Sequence, residues 1–375
     1  MKNIKWIIGI LVVIILVVVL SNGGDKEQSA QQTEGPIKIG FIGPLTGDVA
    51  SLGENALIAA QLAVDEINAN GGINDRTVEL IAEDGSCSGK EASSAAQKLI
   101  SIDKVVGIIG GLCSSESSAF TGILNQSETP GISYCSSAAT LSDAGDYFFR
   151  TYPSDAYQGV FAANYLRNEK MIDKVAVLYV NDDWGAGLKQ SFIDTFKNLG
   201  GEVVLEESFE KDERDFRTQL LKAQASGANL IYYLGFDQGA VSAIKQRDEL
   251  NVDLPMFGAD PWDDMTIWND VASISEGFGY TVPHTTDSQS FTSKMADVGV
   301  SEVSVCASQS YDTMNIFAQV IGQVGTNGSD IKDALYDVQY QNGISSQNIS
   351  FDENGDLVGA EYVVKTIQDG QVVEL

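Results

Sequence analysis

Residues 105–118, VVGIIGGLCSSESS, constrain the chain most. The apolar, largely β-branched run Val105, Val106, Ile108 and Ile109 predicts a buried strand. Gly110 and Gly111 permit a tight turn, and the hydroxyls from Ser114 to Ser118 supply N-cap candidates for a helix. A strand that enters a helix through a bare turn leaves the first helical amides unpaired at the positive end of the dipole, where a small anion such as a carboxylate binds. A related piece follows Pro130: residues 131–134 predict a short strand, with Cys135, Ser136 and Ser137 at its end. Two hydroxyl-bearing strand ends imply one shared cleft.

The rest of the chain repeats this grammar. Strands are expected over 37–42, 78–83, 105–109 and 131–134, alternating with helices that end near Ile67 and cover 92–102 and 119–125. A second run begins after 148–152, with helices over 157–168, 188–199, 216–226 and 240–250 between strands over 175–180, 203–209, 230–234 and 255–258. Such alternation predicts an α/β protein with two doubly wound parallel-sheet lobes, and open sheets of this kind bind ligands at the carboxyl ends of their strands. A strand over 277–282, helices over 308–324 and 330–338, and strand-like pieces near Ile349 and over 362–367 follow. These late pieces are expected to complete both sheets, so that the chain crosses a multi-stranded hinge. The expected lobes are 37–155 with 283–355, and 156–282 with 356–375.

A length of 375 residues accommodates two such domains. Lys and Arg number 23 against 52 Asp and Glu, a formal charge of −29, which argues against nucleic acid as a partner. At the N-terminus, Lys2 and Lys5 precede an apolar run over 6–20 and a polar stretch up to Pro36. Residues 1–36 therefore read as a signal peptide or a membrane anchor with a tether, and either exports the rest. Export permits disulfides. Cys87 and Cys113 each follow a strand of the same expected sheet, so a bridge between them is expected. Cys135 and Cys306 are either a second bridge or two buried thiols.

The segments GFIGPLTG, LAVDEINANGGI, EDGSC, IGGLCSS, TPGISYCSSAATLS, FRTYPSD, DDWGAGL and ISFDENGD, in this order over residues 37–375, resemble periplasmic binding proteins of the type I fold. The likeness is to the leucine/isoleucine/valine-binding branch. It implies a monomeric receptor of an ABC importer that closes on an amino acid, branched-chain or otherwise apolar, and hands it to membrane permease and ATPase subunits. By the same resemblance Ser114 holds the ligand carboxylate. Ser137 supplies a second hydroxyl, Cys135 lends a backbone carbonyl, and Asp260 pairs with the ligand ammonium. Leu52 matches a position that bears on the ligand side chain. Trp184 and Phe236 stand where the branch often has Tyr, and Asp260 where it usually has Glu. Asp155 and Tyr311 match hinge or closure residues.

No catalytic residue is assigned. The single histidine, His284, has no G-x-S-x-G elbow to serve, and Asp352, Asn354, Asp356 and Glu361 lack the spacing of a calcium loop. Neither metal nor cofactor is expected. Asn125, Asn327 and Asn348 open short glycosylation sequons. Two alternatives remain: a sensory ectodomain with a separate signalling partner, and an importer receptor for a small amide or urea.

Overall fold

The computed structural model describes residues 35–286 and 288–375. The expected N-terminal signal or anchor lies outside them. Among the described residues no helix is long and apolar enough to cross a membrane.

The first sheet holds β1 (Ile37–Gly43), β2 (Val78–Asp84), β3 (Gly107–Gly110), β4 (Gly131–Ser133) and β5 (Phe148–Arg150), in the order β2-β1-β3-β4-β5. All its pairings are parallel. The helices α1 (Ala50–Ala69), α2 (Gly89–Lys98) and α3 (Ser114–Ser127) connect its first four strands. Both faces of the sheet are covered, which is why its strands read as apolar runs. On one face Ile37, Ile39 and Phe41 meet the alanines of α1, and on the other Ile42 and Ile108 meet Phe120 and Leu124 of α3.

The second sheet uses β6 (Lys174–Val180), β7 (Glu202–Phe209), β8 (Leu230–Leu234), β9 (Met256–Gly258), β10 (Gly279–Pro283), β13 (Tyr362–Gln368) and β14 (Gln371–Glu374). Their order is β14-β13-β10-β9-β8-β6-β7, parallel up to β10 and antiparallel beyond it. The helices α4 (Asp155–Asn164), α5 (Asp183–Asn198), α6 (Arg217–Ala225), α7 (Asp237–Glu249) and α8 (Met265–Val271) accompany it. The late elements were expected to complete both sheets, but β13 and β14 join the second sheet alone. The first sheet receives α10 (Ala307–Val324), laid along α1, after α9 (Ser288–Asp297) and before α11 (Gly328–Tyr336). Residues β11 (Tyr340–Gln341) and β12 (Asn348–Ile349) form a ribbon of their own. The reason is reach: the last hairpin follows the third crossing and meets the open edge of β10.

Three chain segments pass between the sheets: after β5, after β10 and before β13. They are tied together. The Arg150 amide donates to Gly355 O at 3.0 Å and the His284 amide to Glu361 O at 2.9 Å. Arg150, fully buried, donates through Nε to Asp356 Oδ1 at 2.6 Å, through Nη1 to Ala138 O at 2.9 Å and through Nη2 to Ser142 Oγ at 3.0 Å. A buried guanidinium with all three nitrogens engaged ties the first crossing to the third. Asp356, weighed above as a calcium ligand, is spent in this pair. Both disulfides form, Cys87–Cys113 with Cα atoms 5.3 Å apart and Cys135–Cys306 with Cα atoms 5.4 Å apart.

Candidate ligand-binding site

Each sheet reverses its strand order once, between β1 and β3 and between β6 and β8. At those reversals the loops leave in opposite directions and open a crevice. The two crevices face each other across a small cavity lined from both sides. All seven residues expected at the site line it: Leu52, Ser114, Cys135 and Ser137 from the first sheet, with Trp184, Phe236 and Asp260 from the second.

The turn after β3 holds more than the sequence reading foresaw. The first helical amides were expected to be open to an anion, and a buried carboxylate takes the amides just before them. Glu116, 0% exposed on the first turn of α3, accepts from Leu112 N, Cys113 N and Cys87 N, each at 3.0 Å. The Gly111 amide donates to Ser117 Oγ at 3.0 Å. Gly111 and Gly85 allow this approach, since a Cβ at either would meet Glu116 atoms at 2.8 and 2.2 Å. Burial lifts the Glu116 carboxyl to about 7 in spite of its three donors. Cys113 takes the N-cap position, so the helix starts at Ser114 and not within the expected 119–125. Among the described residues the amides of Ser114 and Ser115 have no partner, and these remain for an anion.

Of the clustered hydroxyls, Ser133 and Ser136 are turned inward, both donating to Gly111 O, at 2.8 and 3.2 Å. Ser137 alone of this group lines the cavity. Ser114 Oγ accepts from the Ala138 amide at 3.1 Å, which leaves its own proton for a ligand acceptor. Cys135 reaches the cavity as part of its disulfide.

The opposite wall is acidic and aromatic. The rings of Trp184 and Phe236 lie 5.1 Å apart at 32° and form a flat apolar plate. Three aspartates follow β9, and the structure separates them. Asp263 accepts from Lys365 at 2.7 Å and Tyr280 at 2.8 Å, and Asp264 caps α8 through the Thr266 amide at 2.8 Å. Asp260 lines the cavity, its Oδ2 accepting from Tyr152 at 2.8 Å while its Oδ1 has no partner among the described residues. Burial raises its carboxyl to about 6. Asp182, at the mouth of α5, is likewise raised to about 6 by burial, and its Oδ1 accepts from the Gly185 amide at 2.8 Å.

The walls touch at their rims. Arg214 pairs with Asp48, Lys211 Nζ donates to Cys87 O at 3.1 Å, and Ser51 Oγ lies 3.3 Å from Asp237 Oδ2 and 3.2 Å from Asp264 Oδ2. Tyr311 stands elsewhere. Expected at the hinge, it instead bonds Glu66 and Lys294 on helices packed around the first sheet. His284 is exposed beside the second crossing. Among the described residues no three His, Cys, Asp or Glu side chains are placed to hold a metal.

A model of periplasmic binding proteins matches residues 36–371 of this chain. The chain belongs to that family. Membership makes it a substrate-binding protein rather than an enzyme and puts the folded part outside the cytoplasm. Among curated relatives, an amino acid binding protein of Pseudomonas aeruginosa is 31% identical over 245 residues, covering 65% of this chain and 64% of that relative. A leucine-, isoleucine-, valine-, threonine- and alanine-binding protein of the same organism is 24% identical over 334 residues, 88% of this chain and 89% of the relative. The solved branched-chain amino acid transporter substrate-binding protein of Streptococcus pneumoniae, in complex with isoleucine, superposes with a TM-score of 0.83 at 26% identity. It covers 91% of this chain and all of its own.

The periplasmic binding protein carries site residues that the sequence reading passed over: Leu112, Asp182, Pro261 and Val305 also line the cavity. Asp182 was visible in DDWGAGL as a helix cap. Val305 precedes α10 in an irregular stretch with no periodicity to mark it, and only its place beside Cys306 hints at proximity to Cys135.

Proposed function

We propose that this periplasmic binding protein captures an α-amino acid with an apolar side chain and presents it to an ABC importer. The observation that carries the reading is the polarity of the cavity. Ser114 and the Ser114 and Ser115 amides offer donors on one wall, and the orphaned Asp260 Oδ1 offers an acceptor on the other. A carboxylate suits the first and an ammonium the second, while Trp184, Phe236, Leu52 and Leu112 leave an apolar space for a side chain. Cys135 is assigned a backbone carbonyl towards the ammonium, with Ser137 as the neighbouring hydroxyl.

A ligand that bridges both walls stabilises the closed form, which is the signal a permease can read. In this reading residues 37–155 with 283–355 move against 156–282 with 356–375. Residues 1–36 tether or export the chain, which works as a monomer. Thermal unfolding with each common amino acid, urea and short amides tests it, because a ligand that binds only the folded state raises the midpoint. A shift with leucine, isoleucine or valine supports the reading. A shift with amides alone removes the ammonium role of Asp260.

A further inference from the structure

We infer that Asp155 is a second carboxylate of the ligand-binding site, sharing the cationic group of the ligand with Asp260. This rests on the amino-acid reading above and adds to it a residue first matched to the hinge. Asp155 opens α4 immediately after the first crossing and is 0% exposed. Its amide donates to Ser137 O at 2.7 Å, and Ser137 lines the cavity. Three residues earlier, Tyr152 donates to Asp260. Asp155 therefore sits directly behind two lining residues, one from each wall.

Neither oxygen of its carboxylate has a well-aligned hydrogen-bond partner among the described residues, the Ser137 side chain being the one donor that acts on it, and Asp260 Oδ1 and Gln158 Oε1 are likewise short of one. Four buried acceptors short of donors in one place are a large unmet demand, since an unpaired buried group costs stability and a charged one costs more. Burial holds the Asp155 carboxyl well above the usual range and the charge of Asp260 raises it further, while the Ser137 side chain pulls it down without reversing the rise. The cation that acts on it is Arg150, whose nitrogens are engaged by Asp356, Ala138 O and Ser142. Among the described residues no further cation acts on it. A primary ammonium brings one positive charge and three N–H donors, which matches Asp260 Oδ1 and the Asp155 oxygens together. The competing occupant is water bridging Asp155 to the Tyr232 and Tyr362 hydroxyls, which also lack partners.

Titration calorimetry of the intact protein separates the two. The probes are whichever of leucine, isoleucine, valine and alanine binds most tightly, and the acid that lacks only its amino group. Asp155→Asn keeps the shape and removes the charge. It is expected to weaken the amino acid about 10- to 100-fold, the range for a hydrogen bond to a charged group, and the des-amino acid less than about twofold. An unchanged preference for the amino acid overturns the role of Asp155 and leaves the amino-acid reading standing. Failure of wild-type protein to bind any of the four amino acids overturns both. If Asp155→Asn does not fold, the crystal structure of the wild-type complex decides. An ammonium within about 3.2 Å of the Asp155 carboxylate supports the inference, and one held from it by a water overturns it.

Discussion

The two walls of the cleft each bury carboxylates beside the same cavity, but they treat them differently. On the first wall Glu116 receives three backbone amides and serves the turn after β3. On the second, Asp260 receives one hydroxyl and keeps an oxygen unpaired. A buried acid with its donors in place is scaffold, whereas a buried acid short of donors is a site waiting for a ligand. Burial raises both carboxyls, to about 7 and about 6, so the shift by itself does not tell them apart. The count of donors does.

This contrast breaks most visibly if Glu116 is truncated. Glu116→Ala strands three buried amides and should cost about 3–5 kcal/mol of stability, read as a fall in the denaturant midpoint. A loss below about 1 kcal/mol would make the turn self-supporting. Asp260→Ala should do the reverse, weakening the amino acid about 100-fold by calorimetry while leaving the thermal midpoint unchanged or raised, since an underbonded buried acid is removed. A drop in midpoint with affinity intact would make Asp260 scaffold too.

The rims sharpen the comparison through pH. Ser51 Oγ has one proton and faces both Asp237 and Asp264, while burial and then the charge of Asp264 raise Asp237 to about 8. The Asp48 charge adds to the rise, and Arg214 pairs with Asp48. A carboxyl whose pKa is higher in the closed form takes up a proton on closure. Closure, and with it ligand affinity, should therefore weaken as pH rises from about 4 to about 8 and level off above, by at most about tenfold per unit. Asp237→Asn should flatten that limb, and a slope that persists in the variant would assign it to another group. The smallest effect belongs to the Asp48–Arg214 pair, with side chains 35% and 37% exposed. Asp48→Asn should change affinity by threefold or less, and the change should shrink with added salt.

Much of this was legible in the residues. Apolar runs and helical spacing predicted most of the parallel strands and their helices, and Gly110-Gly111 with the serines marked a turn that borders the cavity. The resemblance carried Asp260 and Ser137 to residues that line the cavity, although Asp263, Asp264 and Ser136 lay within reach of the same alignment. What separated them is hydrogen bonding: Lys365 and Tyr280 claim Asp263, the α8 amide claims Asp264, and Gly111 O claims Ser136. The seven-residue helix α8 and the four-residue edge strand β14 were missed because stretches so short carry too few residues to show a period, and α9 was passed over with them.

The sequence by itself determined the α/β class, the alternation of elements and the residue types at the strand ends, because backbone preference and hydrophobic period act over a few residues. Only the tertiary structure decided that Glu116 would take the amides of its own turn and that the last hairpin would join the second sheet. It alone set Asp155 behind Ser137 and beside Asp260, short of donors in a buried place. Each of these depends on groups far apart in the chain meeting in a space closed to water, where an unpaired polar atom costs free energy that no local pattern records.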